Sequence, residues 1–182
     1  MYFNWLKRDK AKLLNDKKNI PVSVILVVIK SRLEFVNAFV LPSIKANNPA
    51  EIIIIDDENL SNQEKRNKGV KQATQEYIFI CDDDVIMPSN HLQILYKALN
   101  NNQKYVFAYT DYQAIVMDPT THPIGKNYYH KSKEFSLEEL MFQNYIDTCS
   151  LVKKEFFPYF DPEIKRFQDW DLWLTIALKG HQ

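Results

Sequence analysis

Short apolar runs recur along the first half of the chain, and a stretch with helical periodicity follows each of them. The runs cover residues 22–29, 52–55 and 77–81. They are rich in isoleucine and valine, which is typical of strands buried on both faces of a parallel sheet. The helical stretches cover residues 34–45, 62–74 and 90–99, with a distortion expected at Pro42. This alternation predicts a single α/β domain with a mostly parallel central sheet flanked by helices.

The second half of the chain has weaker periodicity and predicts shorter elements. Strands are predicted over residues 105–109, 113–117 and 149–152, with a loop over 118–133. Ser136 followed by Glu139 is a capping-box pattern that predicts a helix running to about Asn144. Apolar residues at i, i+3, i+4, i+7 and i+8 predict a last amphipathic helix, which Gly180 ends. Asp169 is expected at or near the N-cap of that helix.

The net charge and the small numbers of glycine and cysteine residues exclude several classes of function. Lys+Arg and Asp+Glu both number 23, and zero net charge argues against a protein that wraps nucleic acid. The 3 glycines allow no glycine-rich dinucleotide loop and no P-loop, so a bound phosphate would need a metal or side chains. Cys81 and Cys149 form neither a zinc spacing nor a disulfide framework. Their scarcity fits a reducing, cytoplasmic setting.

Residues 1–20 are interpreted as a basic amphipathic N-terminal extension, and residues 21–182 as the domain. Within residues 1–18, aromatic and leucine side chains are interleaved with lysines and an arginine. Such a segment can pack on the domain with its charges in solvent, or it can lie on an anionic membrane surface at the inner face of the membrane. The packed extension is favoured, because runs of charge are more often solvated. No stretch is long and apolar enough to span a membrane.

Acidic residues follow two of the predicted strands. Asp82-Asp83-Asp84 close the third apolar run, and Asp56-Asp57 close the second. Adjacent carboxylates repel one another, and a hard divalent cation with oxygen ligands relieves that repulsion. The triplet therefore indicates either a metal with a phosphate-bearing ligand or a solvated acidic turn before Pro88. Because ligands of parallel α/β sheets bind beyond the carboxyl ends of the strands, a shared ligand site is the favoured interpretation.

Five features occur in a defined order: an apolar first strand, Asp56-Asp57, Arg66-Asn67-Lys68-Gly69, Asp82-Asp83-Asp84, and Gln168-Asp169-Trp170-Asp171-Leu172-Trp173. This ordered set resembles the family 2 glycosyltransferases, which have the GT-A fold, a Rossmann-like architecture. The resemblance runs from about residue 22 to residue 182. Each motif alone is weak, and the specificity lies in their order.

The resemblance implies a role for each matching residue on the donor side. Asp57 matches the aspartate that binds the nucleobase of the nucleotide sugar, and Arg66 matches an arginine near the nucleotide. Asp82 and Asp84 match the outer positions of the Asp-X-Asp motif, which face the ribose and a Mn²⁺ or Mg²⁺ ion. Asp83 could bind the nucleotide sugar and share the metal.

The resemblance also implies roles on the acceptor side. Asp169 matches the catalytic base, while Asp147, Thr148 and Trp170 fall where acceptors are bound. Simpler alternatives stay open from the residues themselves. Asp57 could end a strand in a turn, Asp169 could be an N-cap, Arg66 a solvated helix charge, and Trp170 a core residue.

The implied function is inverting, metal-dependent transfer of a sugar from a nucleotide-diphosphate sugar to a glycan or lipid-linked hydroxyl acceptor, in cell-surface glycan synthesis. The alternative is a non-catalytic GT-A-like module that binds a nucleotide sugar or a partner. Two departures favour that alternative: only 8 residues separate Asp57 from Arg66, and the chain ends soon after the Asp169 helix. The retained Asp82, Asp84 and Asp169 favour the enzyme. Gln168 in place of the usual glutamate is a further departure from the family pattern. A nucleotidyltransferase would need a basic loop after the first strand, of which Lys30 and Arg32 are the only hint.

Overall fold

This computed structural model describes residues 19–116 and 127–182. The strands of the described ranges are β1 (Ile20–Val27), β2 (Pro49–Ile55), β3 (Tyr77–Asp82), β4 (Phe107–Ala108), β5 (Tyr112–Ala114), β6 (Tyr128–His130) and β7 (Leu151–Lys153). Five of them form the central sheet, in the order β2-β1-β3-β7-β4. β1 pairs in parallel with both β2 and β3, whereas β7 runs antiparallel to β3 and β4. The α/β class and the mostly parallel sheet are therefore confirmed.

Helices cover both faces of this sheet. They are α1 (Leu33–Phe35 and Leu41–Ala46, joined by a π-helical turn at Val36–Val40), α2 (Asn62–Gln72), α3 (His91–Asn101), α4 (Leu137–Phe142) and α5 (Gln168–Leu178), with short 3₁₀ turns at Lys30–Arg32 and Lys154–Phe156. The π-helical turn ends just before Pro42, which has no N–H to donate to the helix and was expected to distort it.

The sheet separates two apolar cores because successive residues of each strand point to opposite faces. Ile25 and Val27 of β1 pack in the core that α2, α4 and α5 cover. Val24 and Leu26 pack in the core that α1 and α3 cover. The middle of β1 is fully buried, which is why its sequence shows no polar alternation.

Several predicted elements need correction. The strand predicted as buried at residues 52–55 is an edge strand, so Ile54 is about half-exposed. The loop predicted over 118–133 is wrong for Tyr128–His130, which pairs with Tyr112–Ala114 in a separate antiparallel sheet. Pairing with a distant partner stabilises these short strands, and no local pattern indicates it.

The last helix begins one residue before Asp169, and its N-cap is Phe167. No side chain caps this helix, so the interpretation of Asp169 as an N-cap is wrong. In the described ranges, no helix combines the length and apolar character needed to cross a membrane. Of the extension predicted over residues 1–20, residues 1–18 lie outside the described residues, and with them the proposed membrane contact. Ile20, the last residue of that predicted extension, is already the first residue of β1.

Candidate active site

The carboxyl ends of β1, β2 and β3 lie side by side, and this edge of the sheet carries both acidic groups. Val27 of β1 is opposite Ile55 of β2 on one side and Asp82 of β3 on the other. Asp57 follows the end of β2 by two residues, and Asp83 follows β3 directly. Parallel pairing in register therefore brings the two acidic groups to one edge of the sheet, as the sequence predicts.

Arg66 joins β3 to the start of α5. Its NH2 donates to Asp82 Oδ1 at 2.7 Å, and its NH1 donates to Gln168 Oε1 at 3.0 Å. The Arg66 side chain is 10% exposed, and its guanidinium lies 5.1 Å from the centre of the Phe160 ring. The interpretation of Arg66 as a solvated helix charge is therefore wrong.

Two further α2 side chains hold the segment that precedes α5. Asn67 donates from Nδ2 to the Phe160 carbonyl at 2.7 Å and accepts from the Phe160 N–H at 2.8 Å. Gln63 Nε2 donates to the Ile164 carbonyl at 2.6 Å. Sequence reasoning missed this function of Gln63 and Asn67, because their backbone partners lie about a hundred residues further along the chain.

The three consecutive aspartates do not point to one place. Asp82 pairs with Arg66 on α2, whereas Asp83 and Asp84 pair with Arg32 in the turn after β1. Arg32 NH1 lies 2.6 Å from Asp83 Oδ1 and 2.9 Å from Asp84 Oδ2. Asp83 Oδ2 also accepts from the Ile29 N–H at 2.9 Å.

The carboxylates at this edge of the sheet do not by themselves form a complete metal site in the described residues. Within residues 19–116 and 127–182, no three His, Cys, Asp or Glu side chains are grouped closely enough to hold a metal ion. Mg²⁺ in phosphate-binding sites commonly takes one or two carboxylates and completes its shell with phosphate oxygens and water. An exposed carboxylate such as that of Asp84 fits this second arrangement.

Asp57 is held by the same helix that holds Asp82. Lys68 Nζ donates to Asp57 Oδ2 at 3.1 Å, and the Asn59 N–H donates to Asp57 Oδ1 at 3.2 Å. The hydrogen bond from Lys68 and the one from Asn59 lower the pKa of the Asp57 carboxyl, so it is ionised at neutral pH. Asp57 and Asp82 thus both carry a cationic partner from α2.

Asp169 lies in the first turn of α5, where Asn144 Nδ2 donates to its Oδ2 at 2.8 Å. Phe167, which precedes the helix, is exposed and has a φ of 57°, a backbone conformation rarely adopted by an aromatic residue. Strained residues of this kind cluster at functional sites. Asn144 was not predicted as a site residue, because no local sequence feature connects it to Asp169 on the next helix.

Asp147 connects the two sides of this region. It is partly buried, and its removal from solvent, followed by the negative charges of Asp82 and Asp169, raises the pKa of its carboxyl. Asp147 therefore lies within electrostatic range of both Asp82 and Asp169.

The other residues predicted on the acceptor side take two different positions. Thr148 is buried, and its carbonyl accepts from the Ser150 N–H at 2.8 Å. Trp170 is partly buried: its Nε1 donates to the Leu140 carbonyl at 2.5 Å, and its ring meets Phe167 edge-on at 5.9 Å. Trp170 thus contributes to the core and also reaches the exposed surface at Phe167.

Tyr112 of β5 lies within electrostatic range of the same carboxylates and was not predicted as a site residue. Burial, with smaller effects from Tyr128, Asp147 and Asp169, raises the pKa of its phenol to about 12. Its ring stacks on His130 of β6 at a centroid distance of 4.7 Å. The paired strands β5 and β6 therefore bring Tyr112, Tyr128 and His130 into one aromatic cluster.

Comparison with known proteins gives a consistent result. The family described as glycosyl transferase family 2 matches residues 41–160, more than half of the chain. The matched range contains Asp57, Arg66 and the acidic triplet, and it ends before Asp169. An uncharacterized glycosyltransferase, YwdF of Bacillus subtilis (strain 168), is 23% identical over 127 residues, which are 66% of this chain and 46% of YwdF.

The fold also matches a solved structure. The crystal structure of S. aureus TarS 1-349 superimposes with a TM-score of 0.62 and 11% sequence identity, over 87% of this chain and 56% of that chain. At this identity the likeness concerns the fold. The chain thus spans about half the length of YwdF and of the TarS chain.

Proposed function

The chain belongs to glycosyl transferase family 2, and on that premise we propose that it transfers a sugar from a nucleotide-diphosphate sugar to an acceptor hydroxyl. We propose a glycan or lipid-linked acceptor and a cell-surface glycan as the product, made on the cytoplasmic side of the membrane. The reaction is proposed to invert the anomeric configuration and to use Mn²⁺ or Mg²⁺.

One observation carries this proposal: Arg66 ties the donor-side Asp82 to Gln168, which immediately precedes Asp169. A glycosyl transfer that inverts the anomeric centre needs the leaving diphosphate and the base on opposite sides of one reacting carbon. The Arg66 hydrogen bonds that connect β3 to the start of α5 support that arrangement. The effect of the Asp82 and Asp169 charges on Asp147 supports it independently.

On the donor side, Asp57 is proposed to bind the nucleobase, with Arg66, Asp82 and Asp83 lining the nucleotide sugar. Asp84, with Asp83 beside it, would hold the divalent cation together with oxygens of the diphosphate. That cation would neutralise the charge that develops on the leaving diphosphate.

On the acceptor side, Asp169 is proposed as the base. The acceptor oxygen forms a bond to the anomeric carbon while the bond from that carbon to the diphosphate oxygen breaks, and Asp169 takes the hydroxyl proton. Attack on the face opposite the leaving group inverts the anomeric centre. The hydrogen bond from Asn144 holds the Asp169 carboxylate in one orientation. Asp147, Thr148 and Trp170, with Tyr112, are proposed to line the acceptor site.

A thermal-shift series tests the donor half of this proposal. The full chain is heated with UDP, GDP, CDP or dTDP, each with and without Mn²⁺. A true ligand at a hundred times its Kd should stabilise the protein by about 2.7 kcal/mol, and the effect should need Mn²⁺. Asp84→Ala should abolish the Mn²⁺-dependent part, whereas Asp56→Ala, an exposed carboxylate at the end of β2, should retain it.

A transfer assay tests the reaction itself. With the donor that the thermal-shift series identifies, the anomeric configuration of the product is read by NMR, and inversion is expected. Binding of a nucleotide without any turnover would support the alternative of a non-catalytic binding module. No stabilisation by any of these nucleotides would contradict both.

A further inference from the structure

Arg32 lies in the 3₁₀ turn Lys30–Arg32 that follows β1, and it is the cationic partner of two members of the acidic triplet. Both hydrogen bonds come from NH1, which reaches Asp83 Oδ1 and Asp84 Oδ2. An arginine has five N–H donors. The Arg32 side chain is about half-exposed. Within the described residues its two hydrogen bonds both use NH1, which leaves the donors on Nε and NH2 for a ligand at this edge of the sheet.

The two carboxylates that Arg32 contacts are held very differently. The Asp83 side chain is 8% exposed, and it is also fixed by the Ile29 N–H, whereas the Asp84 side chain is 57% exposed. Within the described residues, the Asp84 carboxylate has one hydrogen-bond partner, and that partner is Arg32. Exposed ion pairs of this kind are weak, so Asp84 can exchange its partner at little cost.

We propose that Arg32 is an exchangeable counter-ion of the donor site. Before the donor binds, Arg32 pairs with both Asp83 and Asp84 and offsets part of their negative charge. When a divalent cation arrives with the diphosphate, Asp84 leaves Arg32 for the cation. Arg32 stays on Asp83 and directs its free N–H groups to the diphosphate, since a guanidinium binds phosphate oxygens in a two-pronged geometry. This inference rests on the proposed function and adds one specific residue to it.

If Arg32 is exchangeable, it affects two affinities in opposite directions: the affinity for a divalent cation alone and the affinity for a diphosphate that binds with the cation. A purely structural ion pair would not do this. Arg32 competes with a divalent cation that binds alone, and it assists the diphosphate that binds with the cation. Removing Arg32 should therefore strengthen binding of Mn²⁺ alone and weaken binding of a nucleoside diphosphate at saturating Mn²⁺. A residue that merely stabilises the turn would weaken both or neither.

The test uses the full chain and its Arg32→Gln variant. Mn²⁺ alone is titrated and its free concentration followed by electron paramagnetic resonance. The nucleoside diphosphate that best stabilises the wild-type chain is titrated by calorimetry at saturating Mn²⁺. We expect Arg32→Gln to bind Mn²⁺ about two- to fivefold more tightly, the range of an exposed ion pair. We expect it to bind the nucleotide about tenfold more weakly, as for a lost charge-assisted hydrogen bond.

Lys30→Gln is the matched control, because Lys30 lies in the same turn and pairs with Glu58 at 2.7 Å instead of with the triplet. Both affinities of Lys30→Gln should stay within about twofold of wild type. Equal effects of the two variants would mean that net charge alone is responsible, and this would overturn the inference. Unchanged or weaker Mn²⁺ binding by Arg32→Gln would overturn it as well.

Arg32→Lys covers the case in which Arg32→Gln does not fold, as judged by circular dichroism. A lysine keeps the charge, so Mn²⁺ affinity should match wild type, but it lacks the planar fork, so nucleotide affinity should fall. Nucleotide binding equal to wild type in Arg32→Lys would overturn the inference. Failure of the wild-type chain to bind any nucleotide would instead overturn the proposed function, so the two failures are distinguishable.

Discussion

Arg66 donates from NH2 to Asp82 Oδ1 at 2.7 Å, and this pair links helix α2 to the end of strand β3 beneath the candidate active site. The same guanidinium reaches Gln168 at the start of α5, so one side chain joins three elements of the fold. Gln168 offers an amide oxygen where the family resemblance expects a carboxylate. Asp82 is therefore the charged partner of Arg66 among the described residues.

Replacing Arg66 should destabilise the protein more than replacing the exposed Arg32. Arg66→Met leaves Asp82 without its cationic partner and removes the link to Gln168. The Asp82 side chain is 34% exposed, which reduces the penalty, so we expect a loss of about 2 kcal/mol. The unfolding midpoint should fall by about 4–8 °C. Arg32→Met should cost about 1 kcal/mol or less, and equal costs in thermal unfolding would contradict the prediction.

Asp169→Asn should abolish most turnover without loss of donor binding. The amide cannot accept the acceptor proton, and general-base contributions are typically about 10²–10⁴-fold. The amide oxygen of the new residue can still accept from Asn144, so the helix should keep its position. The turnover rate and the donor affinity of the variant are measured separately, so that any loss of activity can be assigned to kcat or to KM.

Asp171→Asn is the control for Asp169→Asn, since it makes the same change in the same turn of α5. Its turnover should stay within about threefold of wild type, as expected away from the reacting atoms. A loss of tenfold or less in Asp169→Asn would mean that the base lies elsewhere.

Asp147 should make the stability of the protein depend on pH. Burial raises the pKa of its carboxyl in the folded protein above the ordinary value, so the folded state binds the proton more tightly than the unfolded chain. Stability therefore falls as pH rises from the ordinary aspartate pKa, about 4, through the raised pKa of the folded state. Asp147→Asn stays neutral and can keep the hydrogen bond from the Cys149 N–H.

We expect Asp147→Asn to be more stable than wild type at pH 7.5 and to match it near pH 3.5. Each 1 kcal/mol gained would raise the unfolding midpoint by about 2–4 °C. Urea unfolding at several pH values measures the difference, with Asp56→Asn as the exposed control. The same stability for Asp147→Asn and wild type at pH 7.5 would contradict the raised pKa of the Asp147 carboxyl in the folded protein.

Gly69→Ala should destabilise the protein although alanine favours helices. A Cβ at Gly69 would lie 2.3 Å from Ile25 Cγ2, so α2 would have to move away from β1. Forcing extra atoms into a packed core costs about 1–3 kcal/mol, which outweighs the helical gain of about 1 kcal/mol. Gln72→Ala on the exposed end of α2 should change stability by less than about 0.5 kcal/mol. A Gly69→Ala variant as stable as wild type in thermal unfolding would contradict the close packing.

The candidate site was predictable only in part. The sequence placed Asp57 and Asp82 at the ends of neighbouring strands, and the parallel register brings them to one edge. The acidic triplet was predicted to act as one group. In the structure, Asp82 pairs with Arg66, whereas Asp83 and Asp84 pair with Arg32. Successive residues beyond a strand point in different directions, so adjacency in sequence does not make three carboxylates one site.

The partners of the predicted residues could not be inferred from the sequence. Asn144 and Asp169 are 25 residues apart, and Arg66 and Gln168 are 102 residues apart. Such contacts depend on how helices are oriented on the sheet, and local periodicity does not encode that orientation.

The sequence by itself determined the class of the fold and the family, because apolar runs set the strands and the ordered motifs are local features. The tertiary structure alone decided which cation pairs with each carboxylate, that Arg66 is buried, and that β5 and β6 pair with each other. The physical reason is distance along the chain. Burial and hydrogen bonding within an element follow from neighbouring residues, whereas the charges and contacts of the site come from segments that only folding brings together.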